Sequence, residues 1–259
     1  MDTREIDLMN VDADNIDTEH ICCAIGNDAV NRRRADEKKE WLKTRFDLGH
    51  RFKKADVRGK VFIEYCPAET ALFPVEAEGY MFIQCFWVSG RHKGRGLGRT
   101  LYEACEAESR KEGYKGMVAV SSVKKRPFMV DRKFLVKFGF NPVDEAVPYF
   151  ELLVKKFDTS AHDPRFMDSA RKESLEGKKG LTFFYSPLCP YNKDFTEEMA
   201  AAGRELGIPV EIIIIDSREK VSLLPVPWGI FSVYYDGQFL AHEVMTKKRF
   251  LDILNKTCE

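Results

Sequence analysis

The chain has 259 residues, enough for one large domain or two ordinary ones, and is 44% hydrophobic and 32% charged. Lys plus Arg and Asp plus Glu each total 41, a balance that argues against a nucleic-acid or general polyanion binder, whose footprint is a basic excess. No apolar run approaches the roughly 20 residues a membrane span needs, and the acidic, polar start does not read as a signal peptide, so no membrane association and a cytoplasmic location are expected.

The seven cysteines are Cys22, Cys23, Cys66, Cys85, Cys105, Cys189 and Cys258. An odd number without secretory context favours reduced thiols, most of them small buried hydrophobes. With five histidines and no Cys-x-x-Cys pair, no metal site is expected.

In chain order, a short helix is expected around Glu19–Ile25. A second is expected from Asp36, as N-cap, through Leu42 and Phe46. Leu48–Lys53 and Lys60–Tyr65 read as strands joined by a charged turn, with Pro67 closing the second. Tyr80–Val88, nearly continuous in apolar residues, is the clearest central strand. Leu97, Leu101, Ala104 and Cys105 then recur at helical spacing, and Gly113 is a natural stop. Gly116–Ser121 reads as a strand, Met129–Lys137 as a short helix, and Phe150–Phe157 as the last strand of a mixed α/β domain covering residues 1–158. Residues 159–180 read as a polar linker with a short helix at Phe166–Leu175. A second α/β domain, 181–259, follows. It contains a strand at Leu181–Ser186, a helix at Lys193–Leu206 and a strand at Val210–Ile215. A hairpin over Gly229–Val244 turns at Asp236-Gly237, ahead of a final helix.

Between the central strand and its helix lies Arg91-His92-Lys93-Gly94-Arg95-Gly96-Leu97-Gly98. Glycines at 94, 96 and 98 let the backbone curl closely around a ligand. Successive N–H groups and the positive end of the helix suit phosphate oxygens. Arg91, Lys93, Arg95 and Arg99 add charge, and no acidic residue falls between 89 and 102. A Walker loop requires Lys-Ser/Thr after its last glycine, whereas Arg99 follows Gly98. A Rossmann turn is disfavoured by the basic residues and by the absence of an acid at the end of Met117–Ser122. An anion cradle and an ordinary turn remain the two local readings.

Residues 80–121 resemble the central motif of the GCN5-related N-acetyltransferase (GNAT) superfamily: a strand, then Gln/Arg-x-x-Gly-x-Gly/Ala, then a helix. Here the motif reads Arg91-His92-Lys93-Gly94-Arg95-Gly96. The resemblance covers roughly residues 1–158 and implies a GNAT fold with a mixed central sheet and acetyl-CoA as co-substrate. It also implies that the loop binds the CoA pyrophosphate and that strand backbone at Phe86, Trp87 and Val88 pairs with pantetheine. Phe128–Phe140 resembles the later helix and Gly-Phe strand that flank the thioester. The family often supplies a tyrosine from that helix to the departing thiolate, but Asp131–Phe138 contains none. Tyr149 is the nearest replacement, and Glu64 and Glu69 are candidates for the base. Cys85 lacks a histidine partner in the sequence and reads as a buried thiol rather than a nucleophile. The implied reaction is transfer of acetyl to an unidentified small-molecule or peptide amine.

In the second domain, Phe183–Asn192 resembles a thioredoxin or glutaredoxin active-site turn. Cys189 stands at the attacking cysteine and Asn192 replaces the resolving one. Val226-Pro227 resembles the loop where that fold carries a cis proline. The domain is similar to the small thioredoxin-like module appended to YoaP-type acetyltransferases. Cys189 is thus a candidate for thiol chemistry, and the domain for a protein partner. Two alternatives to the transferase are a CoA-binding sensor with a degenerate site and a thiol-dependent redox protein acting through Cys189.

Overall fold

The computed structural model describes residues 7–21, 23–172 and 174–257. The chain divides into two compact units. The first comprises residues up to Ala71, Ala77–Asp144 and Glu151–Arg165; the second comprises Leu72–Glu76, Glu145–Phe150 and everything from Phe166 onward.

The first unit is built on a seven-stranded sheet. In chain order its elements are β1 (Leu8–Val11), α1 (Ala29–Phe46), β2 (Arg51–Ala55) and β3 (Val61–Pro67). After β4 (Val75–Glu76), which belongs to the second unit and lies outside this sheet, come β5 (Tyr80–Val88), α2 (Leu97–Lys111), β6 (Gly116–Ser121), α3 (Arg132–Lys137), β7 (Asn141–Ala146) and β8 (Phe150–Lys156). The sheet order is β1-β2-β3-β5-β6-β8-β7. β5 and β6 are parallel, while β1–β2, β2–β3, β3–β5 and β6–β8 are antiparallel. This is the mixed α/β, GNAT-like central sheet expected from the sequence.

Alternation along β3 divides its side chains between two faces. Val61, Ile63 and Tyr65 join Met81 and Ile83 of β5 against Leu97, Leu101, Tyr102 and Cys105 of α2, forming one buried cluster. That apolar stripe is what seats α2 on the sheet and fixes where its N-terminus lies. On the other face α1 docks differently. Its buried residues are Lys38, Leu42 and Arg45, and polar contacts replace an apolar stripe. The helix starts seven residues before the expected Asp36. Its N-cap is Asp28, whose carboxylate accepts from the Asn31 N–H at 2.9 Å. Asp36 lies inside the helix. The expected helix at 19–25 is absent: residues 19–21 and 23–25 form no helix, and Cys22 and Cys258 lie outside the described residues.

The second unit carries a four-stranded sheet. After β9 (Arg165–Phe166) come β10 (Leu181–Tyr185), α4 (Asn192–Glu205), β11 (Val210–Ile214), β12 (Phe231–Tyr235), β13 (Gln238–Ala241) and α5 (Lys247–Thr257). The order is β11-β10-β12-β13, with β10 parallel to β11 and antiparallel to β12. Asp236 and Gly237 both have positive φ, +45° and +77°, as a two-residue hairpin turn requires. The helix expected over Phe166–Leu175 shrinks to a 3-10 turn at Asp168–Arg171. The segment Leu72–Glu76 is stitched into this unit. Arg218 donates to the carbonyls of Phe73 and Val75 at 2.7 and 2.9 Å, and Phe73 meets Trp228 edge-on at 5.5 Å. Among the described residues the cis peptide bond is Val147–Pro148, so Val226–Pro227 is trans, contrary to the resemblance. No helix among these residues is long and apolar enough to cross a membrane.

Glu108 shows how charge is handled at the edge of the α2 interface. It accepts from Lys53 Nζ at 2.7 Å and from the Tyr65 hydroxyl. Burial opposes its ionisation, but these two donors outweigh burial and hold the carboxyl below its ordinary value. A depressed folded-state pKa contributes stability that is present above the unfolded value, about 4.3, and lost as pH falls through the folded one. Glu108→Gln should therefore be less stable than the wild type at pH 7. The gap should close as pH drops below about 4, measured by urea unfolding across pH.

Candidate active site

β5 pairs with β6 over only three rungs, Tyr80–Gly116, Met81–Met117 and Phe82–Val118. β5 continues for six more residues while β6 runs on beside β8 as far as Ser121–Glu151. On its other side β5 stays paired with β3 through Val88–Val61. The two parallel neighbours therefore splay, and among the described residues the β6-facing backbone of Ile83–Val88 has no strand partner. Phe86, Trp87 and Val88 lie on this stretch, all half-buried. Phe86 packs edge-on against Phe134 of α3 at 5.0 Å.

The strand delivers the chain into a 3-10 turn, Gly90–His92, and then the cradle. Gly90, Gly94 and Gly96 have φ of +60°, +74° and +82°, the left-handed region that favours glycine. A Cβ built on any of the three would meet nothing within 4 Å. These glycines thus bend the backbone without packing against the protein, leaving their surface open. Gly98 differs: its Cβ position lies 3.6–3.7 Å from Phe134, Phe86 and Val88, so it lets α2 pass close to the splayed strand. Gly96 is the N-cap of α2, without a side-chain cap and with no acid in the first turn. The first N–H groups of α2 and its positive dipole end are left for a ligand. Arg91, Lys93, Arg95 and Arg99 are exposed, and only His92 and Leu97 of the segment turn inward. Arg99 reaches Glu103 one turn along at 3.4 Å, both well exposed, so this pair subtracts little from the local charge.

Glu64 stands opposite Cys85 in the β3–β5 pairing, at a bulge centred on Gln84. It is fully buried and accepts from Lys38 Nζ at 2.6 Å. Burial raises its pKa and the Lys38 ammonium pulls it back. Lys38 Nζ also lies 4.2 Å from the Trp41 ring centroid. Beside this pair, Gln84 Nε2 lies 3.2 Å from His50 Nδ1, and burial followed by Arg45 and Lys38 holds His50 well below its ordinary pKa. Lys38, His50 and Gln84 were not singled out from the sequence. One signal was present, since a glutamate in the middle of Val61-Phe-Ile-Glu-Tyr-Cys66 must bring a counter-ion.

The other two candidate catalytic residues belong to the second unit. The Tyr149 hydroxyl lies 2.6 Å from His242 Nδ1, in an aromatic cluster with Phe150 and Phe239. Cys189 is half-buried in the turn ahead of α4. Asn192 donates through Nδ2 to the Ser186 carbonyl at 2.9 Å and the Ile230 carbonyl at 2.7 Å. Glu69 accepts from the Gly79 N–H at 2.6 Å, bracing the turn before β5.

Residues 27–140 match the Acetyltransferase (GNAT) family, and residues 209–251 match the YoaP-like family. Over 247 residues the chain is 35% identical to the N-acetyltransferase YoaP of Bacillus subtilis (strain 168), covering 95% of this chain and 98% of that one. This chain belongs to the YoaP-like family of the GNAT superfamily. Solved structures similar to this YoaP-like chain include the PaiA N-acetyltransferase from Thermoplasma acidophilum in complex with coenzyme A. It is 18% identical, covers 59% of this chain and 99% of its own, and has a TM-score of 0.42. A second is yncA from Salmonella typhimurium with acetyl-CoA, at 19% identity, 61% and 96% coverage and a TM-score of 0.44.

The Lys38–Glu64 pair gives a direct test of how the sheet is held on its α1 side. Removing one partner of a buried ion pair leaves a charge without compensation. Lys38→Met should cost about 3–5 kcal/mol in urea unfolding, and Lys38→Met/Glu64→Met should recover most of that loss.

Proposed function

We propose that this YoaP-like chain is an N-acetyltransferase that moves an acetyl group from acetyl-CoA to an amine. One observation carries the reading: a strand that loses its neighbour leads directly into an open, basic, glycine-turned loop at an uncapped helix N-terminus. The two parts suit the two ends of CoA. Loop N–H groups and Arg91, Lys93, Arg95 and Arg99 suit the pyrophosphate, with Gly94, Gly96, Leu97 and Gly98 shaping the turn. The unpaired backbone of Phe86–Val88 suits the amide-bearing pantetheine arm, as a strand edge suits any extended chain.

Acetyl-CoA supplies an activated thioester carbonyl. The chain has to hold it against the amine, accept a proton from the ammonium, and stabilise the oxyanion with fixed donors. Glu64 is our candidate for steering that proton, directly or through water, because it is the buried carboxylate facing Cys85 beside the splay. The Tyr149 hydroxyl is already engaged by His242, which favours an anchoring role over thiolate protonation. The acceptor is a small-molecule or peptide amine, and the proposed setting is the cytoplasm.

We further infer that the second unit is thioredoxin-like. Its support is the β11-β10-β12-β13 order, the parallel β10–β11 pair, and the helix launched from the Cys189 turn. Presenting a substrate or partner protein is the role we assign it. The half-buried thiol of Cys189 ahead of α4 supports a second reading, mixed-disulfide chemistry with one cysteine.

The deciding experiment incubates the protein with labelled acetyl-CoA and pooled amines and peptides, with mass analysis of products. Wild type should yield acetylated amine. Gly94→Asp and Gly96→Asp should lower kcat/KM at least about 100-fold, by placing a carboxylate where phosphate would sit. Tight CoA binding without turnover would assign a sensor instead. Cys189→Ser should leave acetyl transfer unchanged; a thiol-dependent reduction lost in Cys189→Ser but kept in Gly94→Asp would favour the thiol reading.

A further inference from the structure

A loop with three left-handed glycines and several exposed cations has no internal reason to hold one shape. Its like charges repel, and its backbone is the most permissive a chain offers. Two of its side chains point inward. Leu97 is held by the apolar cluster under α2. His92 has a different support: it is 95% buried and packs onto Gly59, in the turn between β2 and β3. A Cβ on Gly59 would lie 2.8 Å from His92 Nε2 and 2.9 Å from Cδ2, so the imidazole sits where any larger residue would put a side chain. The ring faces the backbone carbonyl of Arg58. Burial, then Arg91 and Arg95, keep the ring below its ordinary pKa, which suits a neutral imidazole donating one N–H.

The turn is itself braced. The Ser89 N–H donates to the Lys60 carbonyl at 3.1 Å, a second tie between turn and loop. Arg58 donates to Asn27 Oδ1 at 2.7 Å, and the Asp56 N–H to the Asp7 carbonyl at 2.8 Å. His20 also faces the Gly59 carbonyl, and His20, Lys54 and Arg58 line a cavity of about 430 Å³. His92 Nδ1 is buried with no hydrogen-bond partner among the described residues. That cost is tolerated only where the rest of the contact needs the ring.

We propose that His92 is a positioning residue that pins the phosphate loop onto the β2–β3 turn through Gly59, so that the loop is shaped for a pyrophosphate before one arrives. The ligand side of this inference rests on the acetyl-CoA reading above, whereas the pinning does not. Preorganisation of this kind appears as affinity, because less ordering remains for the ligand to impose.

The test uses the full-length protein and two readouts. Amide hydrogen exchange of residues 89–98 in the unliganded protein should speed up at least about tenfold in His92→Ala. The Kd for CoA, by calorimetry, should rise about tenfold in the same variant. His92→Gln, which keeps a donor near the Nε2 position, should recover part of both effects, whereas His92→Leu, which only fills volume, should not. Gly59→Ala should reproduce the His92→Ala phenotype, and the double variant should be no worse than either single one. Wild-type loop exchange and wild-type Kd in His92→Ala would overturn the proposal. Should His92→Ala fail to fold, the same result in Gly59→Ala, which keeps every other side chain, overturns it. A wild-type protein that does not bind CoA sinks the functional reading, while the exchange measurement still decides whether His92 pins the loop.

Discussion

β5 keeps β3 on one side from Met81 to Val88 but loses β6 after Phe82, and the active site proposed above is built on that asymmetry. A strand in the middle of a sheet ordinarily has both rows of backbone groups satisfied. Here one row from Ile83 onward is left to water or a ligand, inside a sheet whose other strands hold it rigid. The bulge at Gln84 falls where pairing to β6 has just ended. On both sides of that bulge the β3 ladder keeps the strand extended despite the missing neighbour. The same divergence makes room for Gly98 to bring α2 against Phe86 and Val88, which sets the distance from the open strand edge to the helix N-terminus.

The two faces of the sheet reach the splay by different chemistry. On the α2 face the contacts are apolar and close-packed, as a fixed helix terminus requires. On the α1 face, Lys38–Glu64, Gln84–His50 and Arg45 with the Thr70 carbonyl form a buried polar layer. Such a layer carries charge and hydrogen-bonding capacity up to Cys85, opposite Glu64. It also explains why α1 has almost no apolar face: the helix is seated by its counter-ions.

What the sequence revealed tracks how far each signal is local. β5 and β6 were read to their ends because each is an apolar run bounded by glycine or a polar break. The loop was legible because glycine spacing and charge are written in consecutive residues. β1, four residues long, and β7, Asn141–Ala146 with Pro142 and two acids, were missed; both are edge strands, where polar residues and proline are tolerated. The first two turns of α1 were missed because Asn31–Lys39 has no apolar period. Lys38 is separated from Glu64 by 26 residues, a pairing only the fold supplies. His92 stands in the sequence only as one residue of the loop motif, since nothing in Arg91-His92-Lys93 distinguishes the residue that turns inward.

Asn192 has a consequence for how this chain can change. A cysteine there would complete a Cys-x-x-Cys turn, a single codon-level step toward dithiol chemistry in the second unit. Yet the Asn192 amide ties the end of β10 to the start of β12 through the Ser186 and Ile230 carbonyls, and a thiol replaces neither bond. The turn holds a brace at the position a second thiol would need. Placing a cysteine there would first require some other residue to take over those two carbonyls, which is a structural barrier to that substitution.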